Sequence, residues 1–363
     1  MPIREESFRI GCGRYIQGRG YISRAGEEVR RVGSAPLVIG DDTTLALTRR
    51  ALEQSLSAEC NKYEFVVHNG TCNEGRAGEL AAYALAGQYD VIIGVGGGVL
   101  MDFAKLTAHR AGLPVINIPT SSATCASYAS LSVRYTPEGQ TVGSLHYKRE
   151  VDAVIADTEI LAAQPIRLFL AGVFDALAKY VEIKQRFSRE TVEYPIGLDY
   201  AFVMSERSYQ VLNEQVPGCL QDMEAGLITD RLEQVLFTCI AATGAISGIA
   251  RGSNQTALAH KFYETTRTMF PESARPYLHG EIVGVGLLLQ NYFNGEIGEN
   301  TALIKLMKQY HRPYRVTDVG VERTEAVLQE YYRRLCKTSA IDEDNAEEYA
   351  RLERGLRYLW EIS

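Results

Sequence analysis

The sequence has no excess of basic residues and no long uninterrupted apolar run. Its 363 residues include 38 Lys and Arg against 45 Asp and Glu, a formal net charge of −7. Nucleic acids and anionic membrane surfaces attract basic proteins, so neither is an expected partner. The longest apolar run, at about Phe237–Ala250, is interrupted by Thr238, Thr243 and Ser247 and is too short to cross a bilayer.

Paired cysteine motifs and a signal sequence are also missing. The seven cysteines are scattered, and none forms a CxxC pair. An odd, unpatterned set of thiols in a chain of this size indicates reduced cysteines in a cytosol and excludes a zinc–cysteine knuckle. The first residues, MPIREESFRI, contain no apolar segment typical of a signal peptide. We therefore expect a cytoplasmic protein.

The first part of the chain alternates strand and helix patterns. Short apolar runs predict buried strands at Pro36–Gly40, Glu64–Val67, Val91–Val95, Pro114–Ile118 and Ala153–Ile155. Helical patterns separate the first four of these strands. This alternation predicts βαβ units and a doubly wound parallel sheet.

Other local signals complete the expected organisation. Asn73 is a predicted N-cap of a helix. Ser130–Tyr135 and Val142–His146 flank the turn-forming segment Thr136–Gln140, which predicts a hairpin. Helical periodicity dominates after about residue 160, so the chain divides into an α/β part, 1–160, and an all-α part, 161–363.

A glycine triplet, Gly96–Gly98, follows the third predicted strand and precedes a helix. Glycines let a phosphate approach the backbone N–H groups at a helix N-terminus. The alternative is a tight strand–helix turn, since the pattern is neither GxGxxG nor a P-loop. Asp41, at the end of the first strand, suits either the ribose hydroxyls of a dinucleotide or an N-cap.

Three polar residues in apolar surroundings suggest a metal site. Asp175 lies in AGVFDALAKYVE, His260 in QTALAHKFYE, and His279 begins HGEIVGVGLLLQ. A buried carboxylate needs a partner or a metal, and two imidazoles with one carboxylate suit a catalytic zinc ion. Each residue could instead be an ordinary helix polar group or cap, because their spacing matches no local ligand motif.

Five segments now point to a family. GVGGGVLMDFAK, PTSSATCASYASLSVRYTPEG, AGVFDALAKYVE, ALAHKFYE and YLHGE occur in this order over nearly the whole chain. Together they resemble glycerol dehydrogenases of the iron-containing alcohol dehydrogenase and dehydroquinate-synthase-like superfamily. The resemblance implies an N-terminal dinucleotide-binding domain (1–160), a helical metal-binding domain (161–363), an active site in the cleft between them, and a homo-oligomer.

The resemblance also implies roles for individual residues. Asp175, His260 and His279 match the ligands of a divalent metal. Asp41 matches the ribose-binding acid, which favours NAD without excluding NADP. The residues that match cofactor contacts are Asp41, Gly96, Gly97, Gly98, Asp102, Thr120, Ser121, Thr124, Leu131 and Tyr135.

Several positions depart from the glycerol dehydrogenase pattern. Val99 replaces the usual Lys or Ser after the triplet, and Tyr263 replaces the second histidine of HxxH. Iron-dependent members carry a histidine ligand where this chain has Lys179, which favours zinc over iron. Cys125 stands where the pattern STDAP places a polyol-binding aspartate. TCA and DALAKY resemble hydroxycarboxylate dehydrogenases more closely.

The neutral Cys125 gives a physical reason for a different substrate. An aspartate close to a 2-oxo acid would repel its carboxylate, whereas a thiol would not. Lys179 lies four positions after Asp175 on the same helical face, so it could hold the substrate carboxylate or form a salt bridge with Asp175 or Glu182.

The sequence thus predicts a metal-dependent NAD(P) oxidoreductase acting on a small 2-hydroxy acid or 2-oxo acid. Glycerol dehydrogenase is the alternative within this class. A dehydroquinate-synthase-like lyase is more remote, and glycerol-1-phosphate dehydrogenase is disfavoured, since we identify no set of basic residues for a phosphorylated substrate. A non-enzymatic binding protein that keeps the fold is the remaining alternative.

Overall fold

The computed structural model describes residues 10–137, 139–187, 196–250 and 255–362. Two expectations concern residues outside these ranges. The predicted turn Thr136–Gln140 includes Glu138, and the segment MPIREESFRI, which is expected not to be a signal peptide, includes residues 1–9.

A parallel six-stranded sheet forms the centre of the first part of the chain, in the order β1-β8-β5-β4-β2-β3. Its inner strands are buried along their whole length, as expected for a sheet covered on both faces. The strands are β1 (Tyr15–Gly18), β2 (Pro36–Gly40), β3 (Glu64–Val67), β4 (Val91–Gly96), β5 (Val115–Pro119), β6 (Leu131–Tyr135), β7 (Thr141–His146) and β8 (Ala153–Asp157). The predicted parallel sheet and the antiparallel β6–β7 hairpin are confirmed, whereas edge strand β1 was not predicted.

The two faces of the sheet pack against separate apolar clusters. In β2, Val38 belongs to one cluster, while Leu37 and Ile39 belong to the other. Helix residues join both clusters, for example Leu52 in the first and Phe103 in the second. Successive residues of a strand point to opposite faces, so this short apolar run supplies both layers.

Helices cover the sheet and form most of the C-terminal half, which confirms the predicted fold class. Asn73 caps α3, as predicted, by accepting a hydrogen bond from N of Arg76. The helices are α1 (Ala25–Arg30), α2 (Asp42–Glu59), α3 (Glu74–Ala86), α4 (Gly98–Ala111), α5 (Thr158–Ala162), α6 (Ile166–Phe187), α7 (Ile196–Glu224), α8 (Asp230–Phe237), α9 (Thr243–Ala250), α10 (Leu258–Met269), α11 (His279–Phe293), α12 (Glu299–Gln309), α13 (Glu325–Leu335) and α14 (Ala346–Glu361).

The chain divides into two compact units in a way that differs from the predicted boundary at residue 160. Unit 1 comprises Met1–Gln164 with Glu214–Gly248, and unit 2 comprises Pro165–Asn213 with Ile249–Ser363. The helical segment Glu214–Gly248 therefore belongs with the sheet. Glu233 connects this segment to β1 and α5 by two hydrogen bonds. Its carbonyl oxygen accepts from Nε2 of Gln17 at 2.8 Å, and its carboxylate accepts from Oγ1 of Thr158 at 3.1 Å. Helical periodicity does not specify which layer a helix joins.

The helix that contains the apolar run near residue 240 is longer than the run Phe237–Ala250 predicted from the sequence. A continuous helical path extends over Asp230–Ala250, with a π-helical turn at Thr238–Ala242, and its 21 residues are long and apolar enough to cross a membrane by length and composition alone. However, 67% of its most apolar window is buried inside the protein. Gly244 packs so closely on Tyr128 that a Cβ would lie 2.4 Å from its ring, as in a core helix.

Candidate functional site

Unit 2 brings the three predicted metal ligands together. Asp175 on α6, His260 on α10 and His279 at the start of α11 each offer a ligand atom, and these atoms all lie within 4.8 Å of one another. Oδ1 of Asp175 is 3.1 Å from Nε2 of His260 and 3.5 Å from Nε2 of His279. Residues far apart in sequence thus form one cluster.

Two glycines of α11 allow the three helices to approach this closely. A Cβ on Gly280 would lie 1.8 Å from the carbonyl oxygen of Ala171 on α6. A Cβ on Gly286 would lie 2.6 Å from the carbonyl oxygen of Ala259 on α10. Both neighbours are backbone atoms that cannot rotate away, so only glycine permits this packing. Each of the three helices supplies one residue of the cluster Asp175, His260 and His279, so the cluster forms only if the helices pack this closely.

Glu182 orients His260 and was not identified as a site residue from the sequence. Its Oε2 accepts a hydrogen bond from Nδ1 of His260 at 2.5 Å. Its Oε1 accepts from the backbone N of His260 at 2.9 Å and of Ala257 at 2.7 Å. Because Nδ1 is occupied, Nε2 is the nitrogen left to face Asp175. The available signal was a second carboxylate in the apolar helix, seven positions after Asp175 and on the same face.

Burial and neighbouring charges shift the pKa values of the ionisable groups in this cluster. Burial opposes ionisation of Asp175, but the ammonium group of Lys179 and the hydrogen bonds from both histidines hold its pKa well below the usual value. Burial likewise opposes ionisation of Glu182, yet His260 lowers its pKa. Burial lowers the pKa of His279, which favours the neutral imidazole that binds metals.

The donor set fits a divalent metal. Two imidazoles and one carboxylate are the protein ligands of many catalytic zinc sites, which leave a further position open. In addition, the carboxylate of Glu182 behind His260 is the partner that metal-bound histidines commonly have. We therefore assign Asp175, His260 and His279 as the candidate metal ligands.

Lys179 adds a positive charge to the same cluster. Its Nζ is 3.7 Å from Oδ1 of Asp175 and 3.4 Å from Nε2 of His260, and 6% of its side chain is exposed. Of the two alternatives for Lys179, the salt bridge with Asp175 is therefore present, and contact with a substrate carboxylate remains a prediction. Tyr263, at the second HxxH position, contacts the ring of His279 instead, with 4.3 Å between ring centroids.

In unit 1, the glycine triplet lies at the end of β4. Gly96 has a φ of +152°, which L side chains rarely adopt, and Gly97 and Gly98 begin α4. A Cβ on Gly98 would lie 2.8 Å from Oγ1 of Thr124, and one on Gly97 would lie 3.7 Å from Oγ of Ser121. N of Thr120 donates to the carbonyl of Gly96 at 2.9 Å. Six of the predicted cofactor residues are therefore neighbours where β4 and β5 end, the usual ligand position in such sheets.

Asp41 follows β2, the strand next to β4, and caps α2. Its Oδ1 accepts from N of Thr44 at 2.7 Å, and N of Asp41 donates to Oγ1 of Thr44 at 3.1 Å. The N-cap interpretation of Asp41 is thus confirmed. Ribose binding by the same carboxylate remains a prediction.

Asp102, on the first turns of α4, is buried and pairs with groups of the protein, while the cofactor contact that the resemblance implied for it remains a prediction. Its carboxylate is 3.0 Å from Nζ of Lys105 and accepts from N of Val133 at 3.0 Å. The buried Nζ of Lys105 also donates to the carbonyl oxygens of Ala126, at 2.6 Å, and Ala129, at 2.8 Å. The pair therefore fixes the segment between β5 and β6.

The remaining predicted residues belong to this segment or to β6. Cys125 is half-buried, and its carbonyl accepts from N of Tyr128 at 2.9 Å and N of Ala129 at 3.1 Å, which makes a tight turn. Leu131 and Tyr135 are the two ends of β6, and Tyr135 packs against the core cluster that contains Phe103. All seven cysteines lie within the described residues, and none of them is joined in a disulfide.

The chain is similar to known dehydrogenases. The family model described as iron-containing alcohol dehydrogenase matches residues 12–158. A glycerol dehydrogenase from Escherichia coli O6:H1 is 34% identical over 280 residues, covering 77% of this chain and 75% of the relative. Hydroxycarboxylate dehydrogenase A from Escherichia coli K12 is 30% identical over 260 residues, covering 71% of this chain and 70% of the relative.

Solved structures agree with these relatives in fold. Glycerol dehydrogenase from Schizosaccharomyces pombe superposes with a TM-score of 0.83 and 22% identity, covering 98% of this chain and 90% of that chain. The relatives act as alcohol oxidoreductases, and the family binds NAD(P) and a divalent metal. The chain belongs to the iron-containing alcohol dehydrogenase family, in its glycerol dehydrogenase-like branch.

Proposed function

We propose that this alcohol dehydrogenase transfers hydride between a nicotinamide cofactor and a small 2-hydroxy acid or 2-oxo acid. The observation that carries the proposal is Cys125, at the position where glycerol dehydrogenases place a polyol-binding aspartate. A neutral thiol does not repel the carboxylate of a 2-oxo acid, whereas an aspartate would. Lys179 supports the same substrate class, since its positive charge lies beside the candidate metal ligands.

The residues of unit 2 have separate tasks in this proposal. When bound, the divalent metal supplies Lewis-acid polarisation of the carbinol or carbonyl oxygen. Asp175, His260 and His279 hold the ion, and Glu182 fixes the ring of His260. Lys179 binds the substrate carboxylate and stays close to Asp175 in its absence. Three protein ligands, with Lys179 in place of a fourth, favour zinc over iron.

The residues of unit 1 hold the cofactor, and the hydride chemistry is that of the nicotinamide. The glycine turn and the N-terminus of α4 bind the pyrophosphate, with Ser121 and Thr124 beside it. Asp41 accepts from the ribose hydroxyls, which favours NAD over NADP. We also propose a cytoplasmic homo-oligomer that acts on a small molecule.

Glycerol dehydrogenase is the second candidate function. Two relatives with this name, from Escherichia coli and Thermotoga maritima, are 34% and 31% identical to the chain. This similarity favours a neutral polyol or its ketone as substrate. Cys125 is the position that distinguishes the two candidates.

A substrate panel tests the proposal. NADH and NADPH oxidation are measured with 2-oxoglutarate, 2-oxobutanoate, hydroxyacetone and dihydroxyacetone, with zinc or iron added. We expect a higher kcat/KM for the 2-oxo acids with NADH and zinc. A preference for the neutral ketones would assign the protein to the polyol dehydrogenases instead.

A further inference from the structure

A surface cavity of about 820 Å³ in unit 2 has a strongly basic lining. Basic side chains outnumber carboxylates among the lining residues, although the whole chain is acidic, with a net charge of −7. The basic residues are Arg167, Lys308, Arg312 and Arg315. A concave basic surface on an acidic protein concentrates small anions.

One of the lining carboxylates is buried beneath two arginines. Oε1 of Glu281 accepts from Nε of Arg167 at 2.8 Å and Nη1 of Arg312 at 3.0 Å, and only 1% of its side chain is exposed. Oε2 accepts from Nη2 of Arg167 at 2.7 Å and the backbone N of Leu278 at 2.9 Å. One carboxylate thus neutralises one of the two guanidinium charges, and the other remains.

The remaining charged residues of the lining also carry an excess of positive charge. Asp318 pairs with Arg315, with Oδ1 2.8 Å from Nη2. Nζ of Lys308 lies 4.7 Å from the ring centroid of Tyr314, and no carboxylate among the described residues pairs with it. The guanidinium of Arg315 lies 5.1 Å from the centroid of the same ring. Tyr314 therefore holds two cations near the cavity.

His311 lines the cavity where α12 ends, and its φ is +53°. N of His311 donates to the carbonyl oxygen of Lys308 at 3.2 Å, and N of Arg312 donates to that of Met307 at 2.7 Å, as at many helix C-termini that end in a left-handed residue. This helix ending therefore fixes the backbone that carries Lys308 and Arg312.

We propose that this cavity is a binding site for a small dianion, either a phosphate ester or a dicarboxylate. Arginine forks and a lysine ammonium are the groups that recognise both kinds of anion. The site is distinct from the metal cluster. Glu281 lies two positions after His279 on α11, so the two side chains leave the helix on different sides.

Calorimetric titration with inorganic phosphate, and separately with succinate, tests the site. The enzyme is saturated with NADH so that its cofactor site is occupied, and sodium chloride balances the ionic strength. We expect saturable binding of at least one anion, weakened about tenfold or more in the variant Lys308→Met/Arg315→Met. The anion that binds more tightly identifies the ligand class.

Lys305→Met is the control, because Lys305 is an exposed lysine of the same helix that does not line the cavity. It should bind the anions like the wild type. If the double variant unfolds, the single variant Lys308→Met replaces it, because Lys308 is exposed and its substitution should not disturb the fold. Equal affinities in the wild type and the Lys308 variants, or no saturable binding in the wild type, would overturn the proposal.

Discussion

Nδ1 of His260 lies 2.5 Å from Oε2 of Glu182, a fully buried carboxylate that also accepts the backbone N–H of His260. The imidazole is thereby fixed in ring orientation and tautomer, with Nε2 directed at Asp175, 3.1 Å away. Residues behind a metal ligand affect metal affinity because they determine how well the ligand is aimed.

The variant Glu182→Gln should therefore bind metal more weakly. Loss of the negative charge removes the strong acceptor for Nδ1, and we expect a roughly 10–100-fold loss of zinc affinity. Competition with a chromophoric chelator measures it without any assay of activity. Glu264→Gln is the matched control, since Glu264 pairs with Lys261 on the surface of the same unit. Equal zinc affinities of the two variants would contradict the orienting role.

Lys179→Met should separate substrate binding from a structural salt bridge. Removal of a charged hydrogen bond typically costs about 1.5–3 kcal/mol, so KM for 2-oxobutanoate should rise about tenfold or more. KM for hydroxyacetone, which has no carboxylate, should change little. A similar rise for both substrates would mean that Lys179 acts only through Asp175, from which its Nζ is 3.7 Å distant.

Lys179→His should change the metal preference. The new imidazole would stand where iron-dependent members carry their fourth ligand, so we expect tighter iron binding relative to zinc. Metal content after dialysis against equal zinc and iron(II) under anaerobic conditions measures this ratio. An unchanged ratio would mean that residue 179 does not determine the metal.

Cys125→Asp should shift activity from charged to neutral substrates. At an effective dielectric constant of about 20, two negative charges ~4 Å apart repel each other by ~4 kcal/mol, so kcat/KM for 2-oxobutanoate should fall at least about tenfold. Activity with hydroxyacetone should be retained or rise. Cys125→Ser, which stays neutral, is the control. An equal fall with both substrates would indicate a packing defect rather than charge recognition.

Lys105→Met should destabilise unit 1. It would leave the buried Asp102 without its cation, and breaking such a pair typically costs about 3–5 kcal/mol. The variant Asp102→Asn/Lys105→Met should lose less than the sum of the single losses. Urea denaturation measures each free energy of unfolding, and Lys62→Met, on the surface, is the control. Strict additivity would show that the two residues do not act as a pair.

Much of the fold could be predicted because its signals are local. The apolar runs of β2 to β5, the N-cap at Asn73 and the glycine turn before α4 each lie within a few residues of sequence. Edge strand β1 was missed, since Tyr15–Gly18 has no apolar run, and the membership of Glu214–Gly248 in unit 1 depends on contacts with distant residues such as Gln17.

The sequence by itself determined the α/β class and supplied Asp175, His260 and His279 as candidate ligands. Only the tertiary structure decided that these three converge, that Glu182 stands behind His260, and that Asp102 turns inward to Lys105. The physical reason is that periodicity reveals which face of a helix is apolar, but not which helices meet. Which helices pack together is determined by close contacts such as those at Gly280 and Gly286, where any side chain would clash with a neighbouring backbone.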